Sequence, residues 1–150
     1  MDDILKICEY ACEMAKKLGA DEAEAFAYDF KNIEVSLENN DIHRVLNQKE
    51  NSIGIRIFKN KSLGFAFINK LDKKEINEAV QNAIAISNKT PFDEFNGLPS
   101  PMEITPVKDI YDIKSEEFGV ENALNFASIL LGTAKNFDKR ISIDTGSFNA

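Results

Sequence analysis

Asp144-Thr145-Gly146, preceded by Ile141-Ser142-Ile143, spells the tripeptide with which aspartic proteases present one carboxylate to share a proton with a second. Such a motif carries chemistry only inside its structural context. Four residues follow Gly146, no second Asp-Thr-Gly is present and nothing reads as a flap, so the spelling reads as a strand ending in an Asp/Gly turn. Cys8 and Cys12 stand four apart, a helical spacing that points both sulfurs the same way. A zinc site needs further ligands, and the single histidine, His43, falls in another element. Buried free cysteine behaves as a small hydrophobe, and both thiols take that reading. His43, in Asp41-Ile42-His43-Arg44 beside a turn, has the type of a general base and the setting of a solvated strand residue. Glu116-Glu117 opens a helix, where two carboxylates complement the positive end of the dipole. No His-Glu-X-X-His, phosphate-binding glycine loop or Gly-X-Ser-X-Gly elbow occurs.

Composition narrows the partners. The net charge of −7, from 25 acidic and 18 basic residues, disfavours nucleic acid and anionic membranes. It suits small molecules, neutral or basic peptides and other subunits. An apolar content of 43% fits a globular core, and 150 residues fit one domain. No apolar run approaches the roughly 20 residues that span a bilayer, and Met1-Asp2-Asp3 lacks the basic start of a secretory signal, so a cytoplasmic location is expected. Eleven phenylalanines without tryptophan imply an aromatic core and no aromatic surface.

The elements that must position these residues follow from periodicity. Residues 3–18 place Ile4, Cys8, Ala11, Ala15 and Leu18 on one helical face, with Gly19 as the stop. The period then changes to two. Residues 22–30 alternate Phe26, Tyr28 and Phe30 against Ala25, Ala27 and Asp29, and Ile33–Glu38 alternates cleanly. Asn39-Asn40-Asp41 is a turn, Ile42–Asn47 a weaker strand and Gln48–Ser52 a loop. Residues 53–68 are two apolar runs around the polar break Lys59–Ser62, the pattern of a β-hairpin. Gly54 and Gly64 mark twists or close backbone approaches in it, and Arg56 is its only ionisable strand residue. The meander has about five strands. Asp72 caps a helix running to about Asn88, a proline-punctuated loop covers 89–112, and Ser115 caps a helix over 116–136. Arg140–Phe148 is a last strand. The fold class is α+β, a two-layer sandwich with helices packed on one face of an antiparallel meander.

The order of these elements and their wording resemble a family. Leu18-Gly19-Ala20-Asp21-Glu22-Ala23-Glu24 after an amphipathic helix resembles the opening of the TldD/PmbA proteins. Gly54-Ile55-Arg56-Ile57 and Leu63-Gly64-Phe65-Ala66 are similar to that family's Gly-Val-Arg-Val and Val-Gly-Phe-Ala. Thr90-Pro91-Phe92-Asp93 and Asn96-Gly97-Leu98-Pro99 resemble its linker. Asp138-Lys139-Arg140-Ile141 with Gly146-Ser147-Phe148-Asn149 resembles the PmbA (TldE) branch in particular.

The resemblance implies that residues 1–150 are the single N-terminal α+β domain of a longer protein. The family's TldD branch is a zinc metallopeptidase whose ligands lie later in the chain, in a His-Glu-X-X-X-His helix and a cysteine. Neither Cys8 nor Cys12 stands where that cysteine does. The implied role is non-catalytic: no catalytic residue, cofactor or metal ligand of its own, a wall of a chamber in which unfolded or modified peptides are processed, and contact with a TldD-type paralogue or a second copy. Arg56 is the candidate peptide or partner contact. The alternative is a free-standing α+β ligand- or protein-binding module.

Overall fold

The computed structural model describes residues 2–103 and 105–150. Helix α1 (Asp2–Lys17) leads into strands β1 (Glu22–Glu38), β2 (Asp41–Lys59) and β3 (Ser62–Ile68), then α2 (Lys73–Ser87), a short α3 (Ile113–Glu116), α4 (Val120–Phe137) and β4 (Thr145–Asn149). The strands form one antiparallel sheet in the order β3-β2-β1-β4. The fold is α+β, helices layered on a sheet, with four strands in place of about five.

The strand count changes because runs expected to be separate are continuous. Lys31-Asn32 does not interrupt β1, and the expected loop Gln48–Ser52 lies inside β2. A neighbouring strand supplies backbone partners whatever the side chain is, so polar residues continue a ladder that apolar ones began. Both hairpin turns are two residues long and use left-handed backbone, Asn39 and Asn40 at φ 50° and 67°, Asn60 and Lys61 at φ 50° and 61°. Positive φ at both central residues matches the twist of the flanking strands.

The chain's packing divides into two compact units, Met1–Asp29 with Glu50–Glu103 and Phe30–Lys49 with Ile104–Ala150. In the first, Ile53, Ile55 and Ile57 of β2 form a ridge against Ala11 and Ala15 of α1 and Ile76, Ala79, Val80 and Ala83 of α2. Helix α1 stops where Gly19 turns to φ 90°, its N–H donating to Lys16 O at 3.0 Å while Ala20 N–H donates to Ala15 O at 3.0 Å, a Schellman closure. Leu18, expected on the buried face, is exposed just past the helix end. Tyr10 Oη donates to Asn77 Oδ1 at 2.9 Å and ties the helices together. Small residues let the layers close up. A Cβ on Gly64 would stand 2.0 Å from the carbonyl oxygen of Ala83, so α2 rests on the bare backbone of β3.

In the second unit, Ile33, Val35 and Leu37 of β1 face Ala123, Ala127 and Leu131 of α4. Strand β4 pairs with β1 from Glu34↔Asn149 to Glu38↔Thr145. It begins at Thr145 and not at Arg140, because the preceding backbone is engaged elsewhere: Arg140 N–H donates to Asp138 Oδ1 at 2.9 Å and Ile143 N–H to Asn40 Oδ1 at 2.8 Å. The single helix expected over 116–136 is two. Asp112, not Ser115, caps α3 by accepting from Lys114 N–H at 2.9 Å, and α4 starts after Gly119. Glu116 and Glu117 therefore close α3 instead of opening a helix. Residues 89–112, with Ile104 outside the described residues, hold no helix or strand.

Asp72 caps α2 as the sequence indicates, its Oδ1 accepting from Glu75 N–H at 2.9 Å. That backbone bond first, and the Lys70 ammonium 3.1 Å away second, hold its carboxyl below the usual carboxylate value. A carboxyl held low when folded favours folding above its unfolded value of 3.8 and loses that contribution as pH falls through the folded one. Stability should therefore drop on acidification below about pH 4, and less in Asp72→Asn, which caps without titrating. Equal slopes in urea melts across that range would remove Asp72 from the acid response.

Gly64→Ala is expected to cost about 3 kcal/mol, high in the overpacking range because backbone and not a flexible side chain must yield. The urea midpoint should fall with an unchanged m-value. A loss below about 0.5 kcal/mol would show that α2 moves aside freely.

Candidate functional site

The residues with catalytic potential are scattered. Asp144 is exposed and stands just before β4, at a strand's start and not its end, its carbonyl accepting from Asn39 N–H at 3.1 Å. His43 is exposed on β2, with Nδ1 3.3 Å from Glu38 Oε2. Among the described residues no three of His, Cys, Asp and Glu stand together as metal ligands do.

Cys8 and Cys12 are half-buried under β1. Burial pushes both thiols up, for Cys12 with the neighbouring Cys8 adding to it. The backbone N–H groups of Ala27 and Ala25 face Cys8 and Cys12 respectively and act in the opposite sense. The match is geometric. Four helical residues advance about 6 Å and two strand residues about 6.6 Å, so sulfurs four apart meet amides two apart. The thiols thus occupy the outer edge of β1 in this unit.

The first unit concentrates unusual chemistry on the sheet face away from its helices. The alanines of β1, Ala23, Ala25 and Ala27, pack toward the core. The aromatic residues alternating with them point out: Phe26 is 73% exposed, and Phe65 and Phe67 of β3 are 51% and 54% exposed. Tyr28 joins them, its ring 6.5 Å from that of Phe26. This overturns the expected aromatic core. Of eleven phenylalanines only Phe58 is fully buried, and both cores are built from isoleucine, valine, leucine and alanine. Size decides it: a face pressed against a helix at Gly64 has no room for rings.

Gly54 lies within this aromatic face, opposite Phe67 in register, and a Cβ there would meet the Phe65 ring at 3.3 Å. Its bare backbone seats that ring. Arg56, half-exposed and opposite Phe65, pairs with Glu24 and lies 5.9 Å from the Phe58 ring centroid. Glu24, Phe26, Tyr28, Arg56, Phe65 and Phe67 enclose a shallow hollow of about 330 Å³. Such a surface offers ring faces and one neutralised ion pair.

Three residues with structural work carried no assigned role in the sequence. Asp21 Oδ2 accepts from Asn60 N–H at 2.6 Å, holding the start of β1 to the β2–β3 turn. Glu22 Oε2 accepts from Leu98 N–H at 2.7 Å, and Lys61 Nζ donates to Asn96 O at 2.8 Å. The linker after α2 is thereby fastened to the hairpin. Asp21 and Glu22 sit in the stretch Leu18–Glu24 quoted for its family wording and Lys61 in the polar break of the hairpin, which was the available signal; their partners, 35 to 76 residues distant, were not.

Residues 23–87 match the PmbA/TldA metallopeptidase domain 1. No curated protein matches the chain by sequence. Among solved structures, TldE from Thermococcus kodakarensis is 23% identical, with a TM-score of 0.84 over 95% of this chain and 32% of that one. A candidate modulator of DNA gyrase from Bacteroides thetaiotaomicron is 22% identical, with a TM-score of 0.84 over 99% of this chain and 35% of its own. Another candidate gyrase modulator, from Thermotoga maritima, is 16% identical, with a TM-score of 0.68 over 97% and 32%. These likenesses establish the fold. The chain spans about a third of the length of each of these solved proteins.

Asp21→Ala should lower stability by roughly 1 kcal/mol, the worth of one hydrogen bond that water partly replaces. Amide exchange should quicken at Asn60 ahead of the core strands. Unaltered exchange at Asn60 would show that the turn holds itself.

Proposed function

We propose that this chain is the first domain of a TldD/PmbA-family protein of the PmbA (TldE) type, and that it binds and positions while another part of the assembly carries out proteolysis. The observation that carries the reading is the family match across 23–87, which spans nearly all of β1 and the whole of β2, β3 and α2. The likeness of nearly the whole chain to TldE supports the same assignment. In this role the domain works in the cytoplasm, walls a chamber for unfolded or modified peptides and contacts a TldD-type paralogue or a second copy. Zinc and the general base belong to the catalytic subunit. Arg56 is the residue of contact: half-exposed, balanced by Glu24 and surrounded by rings, it can exchange its carboxylate partner for one on a neighbouring chain.

The purified chain should hold substoichiometric zinc by elemental mass spectrometry and leave a quenched casein substrate intact. Mixed with a TldD-type subunit it should co-elute on size exclusion, with zinc and activity tracking the partner, and Arg56→Ala should weaken co-elution while leaving the melting temperature in place. Stoichiometric zinc and peptide hydrolysis by the isolated chain would overturn the assignment.

A further inference from the structure

Strand β3 ends the sheet, and its register exposes a specific set of backbone groups. Lys59↔Ser62 flanks a two-residue turn and is a hydrogen-bonded pair, so Ser62, Gly64, Ala66 and Ile68 bond inward to β2. Leu63, Phe65 and Phe67 turn their N–H and C=O groups outward, and among the described residues no backbone partner takes them up. Edge strands are ordinarily blunted by charge, proline or a cover. Here the sequence Ser62–Ile68 carries neither charge nor proline. The contrast lies within the same unit, where α1 and its two thiols cover the other edge at Ala25 and Ala27.

We infer that the outer edge of β3 is a docking site for an extended, neutral-to-basic segment of another polypeptide, added to the sheet as a further strand. Three observations define the occupant. Unpaired donors and acceptors at every second residue fit extended backbone and nothing else of comparable size. By alternation, side chains of an added strand would flank Leu63, Phe65 and Phe67 on the exposed aromatic side, which favours apolar or β-branched residues there. Beside Leu63 lies a hollow of about 610 Å³ whose lining includes Pro91, Phe92, Phe95 and the acidic residues Asp93 and Glu94, one Asp93 oxygen accepting from Phe95 N–H. A lysine or arginine fits it, with its stem on the rings and its charge at the carboxylates. The net charge of −7 opposes a second copy of this chain in the same place. The inference rests on the strand geometry and does not require family membership.

The test uses the whole chain and a fluorescein-labelled probe, Lys-Val-Thr-Val-Thr-Val-Lys, read by fluorescence anisotropy. Binding should be saturable. N-methylation of alternate backbone amides, in whichever register removes the paired N–H groups, should weaken it about tenfold or more, the loss of one or two hydrogen bonds. Replacing both lysines of the probe by glutamate should weaken it about fivefold at low salt, with the gap closing as salt rises. Phe65→Pro, which removes an outward N–H at a position where an edge tolerates proline, should abolish binding with the circular dichroism unchanged. Phe67→Lys serves if the proline variant does not fold. No saturable binding by the folded chain, or equal binding of both N-methylated registers, would overturn the inference. So would a dimer of the chain that Phe67→Lys dissolves.

Discussion

Helix α2 approaches β3 so closely that the Ala83 carbonyl leaves no space for a side chain on Gly64. Most of the first unit's character follows from that contact. A thin interface admits alanines with Ile76 and Val80 from the helices, isoleucines from β2, and mostly alanine or glycine from the flanking strands. Strands alternate, so what cannot be accommodated inside must emerge on the opposite side. Phe26, Tyr28, Phe65 and Phe67 therefore form a surface. The second unit meets the same problem with three stacked rings, Phe118, Phe126 and Phe148, whose centroids lie 5.4–6.0 Å apart beside an alanine-lined helix.

Local chemistry was legible in the sequence wherever a short stretch decides the outcome. Gly19 ends its helix, Asn39-Asn40 turns the chain and Asp72 caps α2, because each acts on backbone within a few residues. The α+β class followed from the change of period. What could not be read depended on neighbours remote in sequence. Lys31-Asn32 and Gln48–Ser52 look like breaks until a paired strand runs beside them. Ser115 looks like a cap until Asp112 is found taking the amide of Lys114. The outward turn of the aromatic rings was hidden most deeply, since alternation declares two faces without saying which is thin.

The candidate site has the same mixed legibility. Arg56 stood out as the one charge in an apolar hairpin, and its position on an aromatic face gives that oddity a context. Glu24, its counter-charge, sat in a motif noticed only for its wording. The cysteines, read as small hydrophobes, have a role more particular than filling space: they meet the amides of a strand that would otherwise be open. Within the first unit one rim of the sheet is thus closed by the chain itself while the other, at β3, is left bare.

The fastening of residues 96–98 to Glu22 and Lys61 has a mechanical meaning. Helix α2 ends at Ser87 with Asn88 as its cap, and an unanchored tail pulled from beyond Leu98 would peel that last turn. With the tail bonded to the β2–β3 turn and to the start of β1, a pull reaches the paired strands before it reaches the helix. The helix that presses on Gly64 is thereby not the first element to bear that load, and the thin interface keeps its spacing.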